Sequence, residues 1–136
     1  MCIRDRRYEA IAAALNAAGY TVSAIDLPNH GLSDGAKGHV ESFSLFQQAV
    51  LGLYDRVQKN HPEKPVFIIG HSMGGLITTR FLIDHQDKFK GALLSGPAIE
   101  IQQAPPAWQA SLIKGIAKLL PKIGLAPVDS LSLIHI

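Results

Sequence analysis

The stretch of this sequence best equipped for chemistry is Gly70-His71-Ser72-Met73-Gly74. A G-x-S-x-G run entered from an apolar strand and left through a helical pattern is a nucleophile elbow, in which the serine sits on a tight strand-to-helix turn with its hydroxyl exposed above a parallel sheet. Ser72 is the candidate nucleophile. Gly70 and Gly74, on either side of it, are expected to let strand and helix approach closely, because neither carries a side chain.

A serine hydroxyl is a weak nucleophile until a base takes its proton. Of the internal histidines, His85 lies on the helix that Ser72 opens, and at about 1.5 Å per residue it is roughly 20 Å along it. His61 precedes the elbow strand and belongs to the opposite sheet edge, about 15 Å or more away at about 3.3 Å per residue. Both are out of reach. His71 is adjacent in sequence, but the turn points neighbouring side chains apart, so it reads as a packing or substrate-pocket residue. His30 and His39 fall on the correct edge, near Asp26 and Asp34. A Ser72-His30-Asp34 set is therefore conceivable, although His30 is better suited to holding its own loop and Asp26 to capping the end of the preceding strand.

The elements that must position these groups follow from periodicity. Tyr8, Ile11, Ala12, Leu15 and Ala18 recur at helical spacing and stop at Gly19, a good left-handed cap. Tyr20 to Ile25 reads as a strand, and the turn-rich Asp26 to Gly35 run leaves its carboxyl end, the edge where open parallel sheets bind ligands. Phe43, Phe46, Val50, Leu53, Tyr54 and Val57 mark a second helix, with Ser44 and Gln47 at capping-box spacing. Pro65 to Ile69 is a continuous β-branched run, as in a strand buried on both faces. A helix from the elbow to about His85 and a strand Gly91 to Ser95 complete an α-β-α-β-α-β order. Such alternation means parallel strands in an α/β fold.

Past Gly96-Pro97 the character changes. After Pro105-Pro106, Trp108, Leu112, Ile116 and Leu119-Leu120 share one helical face while Lys114 and Lys118 lie elsewhere, and Pro121 ends the segment. It reads either as a helix packed on the main domain or as a lid over an apolar pocket, able to touch lipid through Trp108 and its neighbours. The expected organisation is a partial core over residues 7–98 and the start of a cap over 99–130.

Bulk composition narrows the class without choosing within it. The chain has 136 residues, a formal charge of +2 and one cysteine, Cys2. Its dispersed Lys and Arg give no basis for nucleic-acid binding. A lone cysteine excludes an intrachain disulfide and a cysteine-rich metal site, and fits a reducing, cytoplasmic location. No apolar run reaches membrane-spanning length and no signal peptide opens the chain. The ends, Met1-Cys2-Ile3-Arg4-Asp5-Arg6 and Leu131-Ser132-Leu133-Ile134-His135-Ile136, look like translated sequencing adapter and are set aside, with the expectation that the natural protein extends beyond both.

Four ordered stretches carry a family likeness: Asp26-Leu27-Pro28-Asn29-His30-Gly31-Leu32-Ser33-Asp34-Gly35, Gly38-His39-Val40, Pro65 to Gly75, and Leu94-Ser95-Gly96-Pro97. Together they resemble the α/β-hydrolase superfamily, in particular its monoacylglycerol lipase and lysophospholipase branch, over about residues 7–129. Leu120-Pro121 through Pro127-Val128-Asp129 is similar to the branch's cap. Asn29 stands where the branch usually has glycine, a mild change because Asn tolerates a left-handed backbone. The resemblance implies hydrolysis of a fatty-acyl ester through Ser72, with the Met73 backbone N–H as one oxyanion donor, where helix polarity favours negative charge. It implies substrate contact by His71 and Trp108, and no metal or organic cofactor. It also implies that the oxyanion loop precedes residue 7 and that the acid and histidine of the triad follow the cap. Other hydrolytic chemistries of the superfamily, or a non-catalytic binding domain, are the alternatives.

Overall fold

The structure, a computed structural model, describes residues 8–35, 39–99, 106, 108–109, 111–112 and 115–116. The chain divides into two compact units, Met1–Gln102 and Gln103–Ile136. The first contains α1 (Glu9–Ala17), α2 (Phe43–Asn60), β1 (Phe67–His71), α3 (Met73–His85), a short 3-10 turn (Gln86–Lys88) and β2 (Gly91–Ser95). β1 and β2 pair in parallel, in register from Phe67 opposite Gly91 to His71 opposite Ser95. With α3 as the crossover, this is one β-α-β unit of an α/β core.

α1 ends as its sequence requires. Gly19 adopts φ 88°, and the N–H groups of Gly19 and Tyr20 turn back to the carbonyls of Asn16 and Leu15, closing a Schellman motif. α2 starts differently from the capping box read at Ser44 and Gln47. The cap is Ser42, whose extended backbone (φ −150°, ψ 140°) lets its hydroxyl accept from the Ser44 N–H at 3.2 Å. That frame puts Ser44 inside the first turn and Leu45, not Gln47, at the third helical position. Gln47 is thereby free to reach across to α3, where its side-chain amide donates to the Ile77 carbonyl at 3.2 Å.

Tyr20 to Ile25, expected as a strand, forms no ladder: the described sheet has two strands, β1 and β2. The segment still lies beside the sheet, with the Tyr20 ring edge-on to Phe67 at 6.3 Å. Extended backbone becomes a strand only when a neighbour takes up its N–H and C=O groups, and no described strand does so here. The same circumstance corrects the expectation that β1 is buried on both faces. Gly70, and with it Ile68 by alternation, faces α3, whereas Phe67 and Ile69 on the other face are 51% and 50% exposed.

The core of the unit therefore lies between α2 and α3. Phe46, Ile77 and Phe81 are buried, with Thr78 beside them. Phe81 packs its ring against His85 and Phe89, and Phe89 in turn meets Tyr54 of α2 at 5.3 Å. Each large apolar side chain fully withdrawn from water contributes about 1.5–3 kcal/mol, so α3 is anchored chiefly through Ile77 and Phe81.

In the second unit residues 108–109, 111–112 and 115–116 are helical, so Trp108 and Leu112 lie on a helical stretch as their spacing indicates. Leu119-Leu120, Lys114, Lys118, Pro121, the cap-like stretch from 120 to 129, Gly38 and the two chain ends fall outside the described residues.

Candidate active site

Ser72 stands between the last residue of β1 and the first of α3 with φ 53° and ψ −119°. These are the angles of the first central residue of a type II′ turn, a place that glycine ordinarily fills. A serine held there costs about 1–3 kcal/mol and persists only where its surroundings over-determine it. The backbone does so on both sides. The Ser72 N–H donates to the Ser95 carbonyl at 3.0 Å, and the Ser72 carbonyl accepts from Leu76 and from Ala98, each at 3.1 Å. The hydroxyl makes no capping hydrogen bond to α3, so the side chain that could do chemistry is not consumed in holding the helix.

Two glycines make the crossing possible, and one of them differs from the expected pair. A Cβ on Gly70 would come within 2.6 Å of the Thr78 hydroxyl and 2.7 Å of the Gly74 carbonyl, so β1 and α3 close on each other only without it. A Cβ on Gly74 would meet nothing within 4 Å, whereas one on Gly75 would fall 2.8 Å from Pro97 Cα. The close approach expected of Gly74 therefore belongs to Gly75. The segment leaving β2 passes over the start of α3 at that point.

The loop from Asp26 is built by its own polar side chains. Asp26 accepts from the Leu32 N–H at 2.9 Å. Ser33 holds the turn as well: the His30 N–H donates to its hydroxyl, and that hydroxyl donates back to the Leu27 and His30 carbonyls. Asn29 takes φ 63°, the left-handed backbone its identity tolerates, and its amide donates to the His39 carbonyl. His30 uses Nδ1 on the Pro28 carbonyl at 2.9 Å and lays its ring 5.8 Å from Phe46. These contacts serve the loop, and among the described residues no hydrogen bond joins Ser72, His30 and Asp34. An open hollow of about 310 Å³ lies between this loop and α2, lined by Ile25, Asp26, Ser33, Leu53 and Arg56 among others, and includes no elbow residue.

The remaining histidines are also placed. His85 ends α3 with its ring 4.5 Å from Phe81, and His61 is the C-cap of α2. His71 turns sideways from the elbow: Nδ1 is 3.3 Å from the Ser95 hydroxyl, and the Tyr8 ring stands edge-on at 6.5 Å. Among the described residues no hydrogen bond joins Ser72 Oγ to a histidine, and no cluster of His, Cys, Asp and Glu could hold a metal ion. Met73 is the first residue of α3, with its N–H at the helix start. Trp108 lies in the second unit.

Residue-by-residue reading missed Ser95, Pro97 and Ala98. Leu94-Ser95-Gly96-Pro97 was notable as a stretch, but their part in the site comes from backbone groups and from one close contact, neither of which a residue type announces. The available signal was the position of Gly96-Pro97 immediately after a parallel strand, at the edge where the elbow also emerges.

Residues 2–135 match the family described as Hydrolase_4: Serine aminopeptidase, S33. The chain is 34% identical over 125 residues to the monoglyceride lipase of Homo sapiens, a match covering 91% of this chain and 41% of that protein. It is 32% identical over 124 residues to the monoacylglycerol lipase of Mycolicibacterium smegmatis, covering 91% and 44%. Among solved structures, the monoacylglycerol lipase of Paleococcus ferrophilus superposes with a TM-score of 0.69 at 30% identity, over 85% of this chain and 42% of that one. The chain thus spans about two fifths of the length of the relatives it matches. A strained serine between a parallel strand and the helix it opens, in a chain matched almost end to end by one family, has a plain meaning: the chain belongs to the Hydrolase_4 (serine aminopeptidase S33) family of α/β-hydrolases.

Proposed function

We propose that Ser72 is the nucleophile of a carboxylic ester hydrolase, acting on acyl esters of the monoacylglycerol or lysophospholipid kind. The observation that carries the reading is the Ser72 backbone, φ 53° and ψ −119° at the start of α3. That conformation leaves the hydroxyl clear of helix capping, and Met73, the first residue of α3, follows it directly. In the reaction Ser72 Oγ adds to the ester carbonyl as a histidine takes its proton. The oxyanion is met by the Met73 N–H and the positive end of α3. Collapse expels the alcohol, which takes the proton back, and water then releases the fatty acid by the same steps. The relatives' names, monoglyceride and monoacylglycerol lipase, support the acyl-ester substrate class.

Two chains test this. The 136-residue chain, in which His30 is engaged with Pro28 and Phe46, is expected to be nearly inert toward a short-chain p-nitrophenyl ester and to react only slowly with a fluorophosphonate. Brisk turnover lost in both Ser72→Ala and His30→Ala would replace this reading with an internal triad. A chain extended to the length of the relatives is expected to cleave a monoacylglycerol and to lose that activity in Ser72→Ala. Cleavage of peptide amides without ester turnover by the extended chain would overturn the ester assignment.

A further inference from the structure

We infer that the segment Ser95-Gly96-Pro97-Ala98 is a positioning strap for the nucleophile, holding Ser72 in its strained conformation. The inference rests on the reading of Ser72 as nucleophile but is drawn from separate contacts. Strand β2 does not simply end beside the elbow. Its last carbonyl, that of Ser95, receives the Ser72 N–H, and three residues later the Ala98 N–H returns to the Ser72 carbonyl. Both polar groups of one peptide-flanked residue are therefore engaged by one short stretch of chain.

Between those two bonds the strap must reverse direction, and Gly96 does so at φ 49°, in the left-handed region. Pro97 then sits against the start of α3, where only the missing side chain of Gly75 leaves room for it. A side-chain contact runs alongside, between Ser95 Oγ and His71 Nδ1 at 3.3 Å. A residue in a type II′ position without glycine relaxes unless its neighbours forbid it. The elbow's own sequence supplies only the Leu76 N–H, the ordinary first bond of the helix, so the constraint that prevents relaxation comes from the strap.

Amide hydrogen exchange of the 136-residue chain, read residue by residue by NMR, tests the strap without requiring turnover. In the unsubstituted chain the Ser72 and Ala98 amides are expected to show matching protection factors, each rate being taken relative to that of the same amide in an unfolded chain, because one opening of the strap frees both. Gly96→Ala adds a Cβ into open space, so it strains the φ of the strap and nothing else. It is expected to speed exchange at Ser72 and Ala98 by about tenfold, while Gly96→Asn, which tolerates the left-handed region, restores protection. Phosphonylation of Ser72 by a fluorophosphonate is expected to lose its limiting rate in the same order, with the concentration for half-saturation unchanged. Two results overturn the strap: Ser72 and Ala98 with clearly different protection factors in the unsubstituted chain, or Gly96→Ala folded with Ser72 as protected as before. Matched exchange with no adduct at Ser72 even in the extended chain would leave the strap standing and remove the nucleophile.

Discussion

Replacing Ser72 with glycine should make the protein more stable while removing the proposed nucleophile. The serine occupies φ 53°, ψ −119°, a conformation that costs a side-chain-bearing residue about 1–3 kcal/mol. Glycine pays none of that, but loses more freedom on folding, a penalty of about 0.5–1 kcal/mol. The net expected gain is about 0–2.5 kcal/mol, or up to about 9 °C in Tm for a chain of this size. Ser72→Ala is the proper reference, because alanine keeps the strain and loses only a hydroxyl that makes no capping bond. Its own change should stay within about 0.5 kcal/mol of the unsubstituted chain. The backbone bonds to Ser95, Leu76 and Ala98 are available to all three residues, so they cancel. Urea unfolding decides the matter: the midpoint should order glycine above both alanine and serine, with m unchanged. A glycine variant no more stable than the alanine variant at equal m would mean that the turn carries no more strain than the about 0.5–1 kcal/mol that glycine's extra freedom offsets, and the argument for an over-determined Ser72 would fail.

The two glycines after the nucleophile should part company. Gly74→Ala, with open space for its methyl group, is expected to raise stability by about 0.5–1 kcal/mol through helix propensity, whereas Gly75→Ala drives a methyl into the Pro97 backbone and should cost about 1–3 kcal/mol; denaturation midpoints check the order. At the start of α2, Ser42→Ala should cost about 1 kcal/mol and Ser44→Ala only a few tenths, since the hydroxyl that accepts the N–H belongs to Ser42. Phe81→Ala, emptying the site of a fully buried ring, should cost about 3–5 kcal/mol and be seen as loss of a cooperative thermal transition.

What could be read in advance was whatever neighbouring residues decide among themselves. The Gly19 cap, the span of α3 from the elbow to His85, and β2 from Gly91 to Ser95 all follow from side-chain spacing and backbone preference over a few residues. The corrections share a different origin. Tyr20 to Ile25 has strand composition, but a ladder needs a partner that the segment cannot supply. Ser44 and Gln47 match a capping box as well as any pair could, yet the cap fell to Ser42 because its backbone is extended. Gly74 and Gly75 are indistinguishable as letters; only Pro97, far along the chain, tells them apart. His30 belongs to its loop, because Pro28 and Phe46 engage it locally.

The elbow depends on very little of the chain. The hydrogen bonds of the Ser72 backbone come from Leu76, Ser95 and Ala98, and the close contacts of Gly70 and Gly75 with side chains or distant backbone from Thr78 and Pro97. Every one of these lies in the β-α-β unit and the strap that follows it. The geometry of Ser72, the proposed nucleophile, is therefore set separately from the supply of a base. Backbone strain is held by hydrogen-bonded neighbours, whereas proton transfer needs a side chain brought to the hydroxyl from elsewhere. A chain carrying only the first part should show a strained, protected Ser72 that reacts slowly. Adding a base should then raise the rate of acylation and leave the exchange behaviour of Ser72 and Ala98 as it was. If exchange and reactivity instead rose or fell together as the base was added, the two would be one device, and the strap would be part of the triad's assembly.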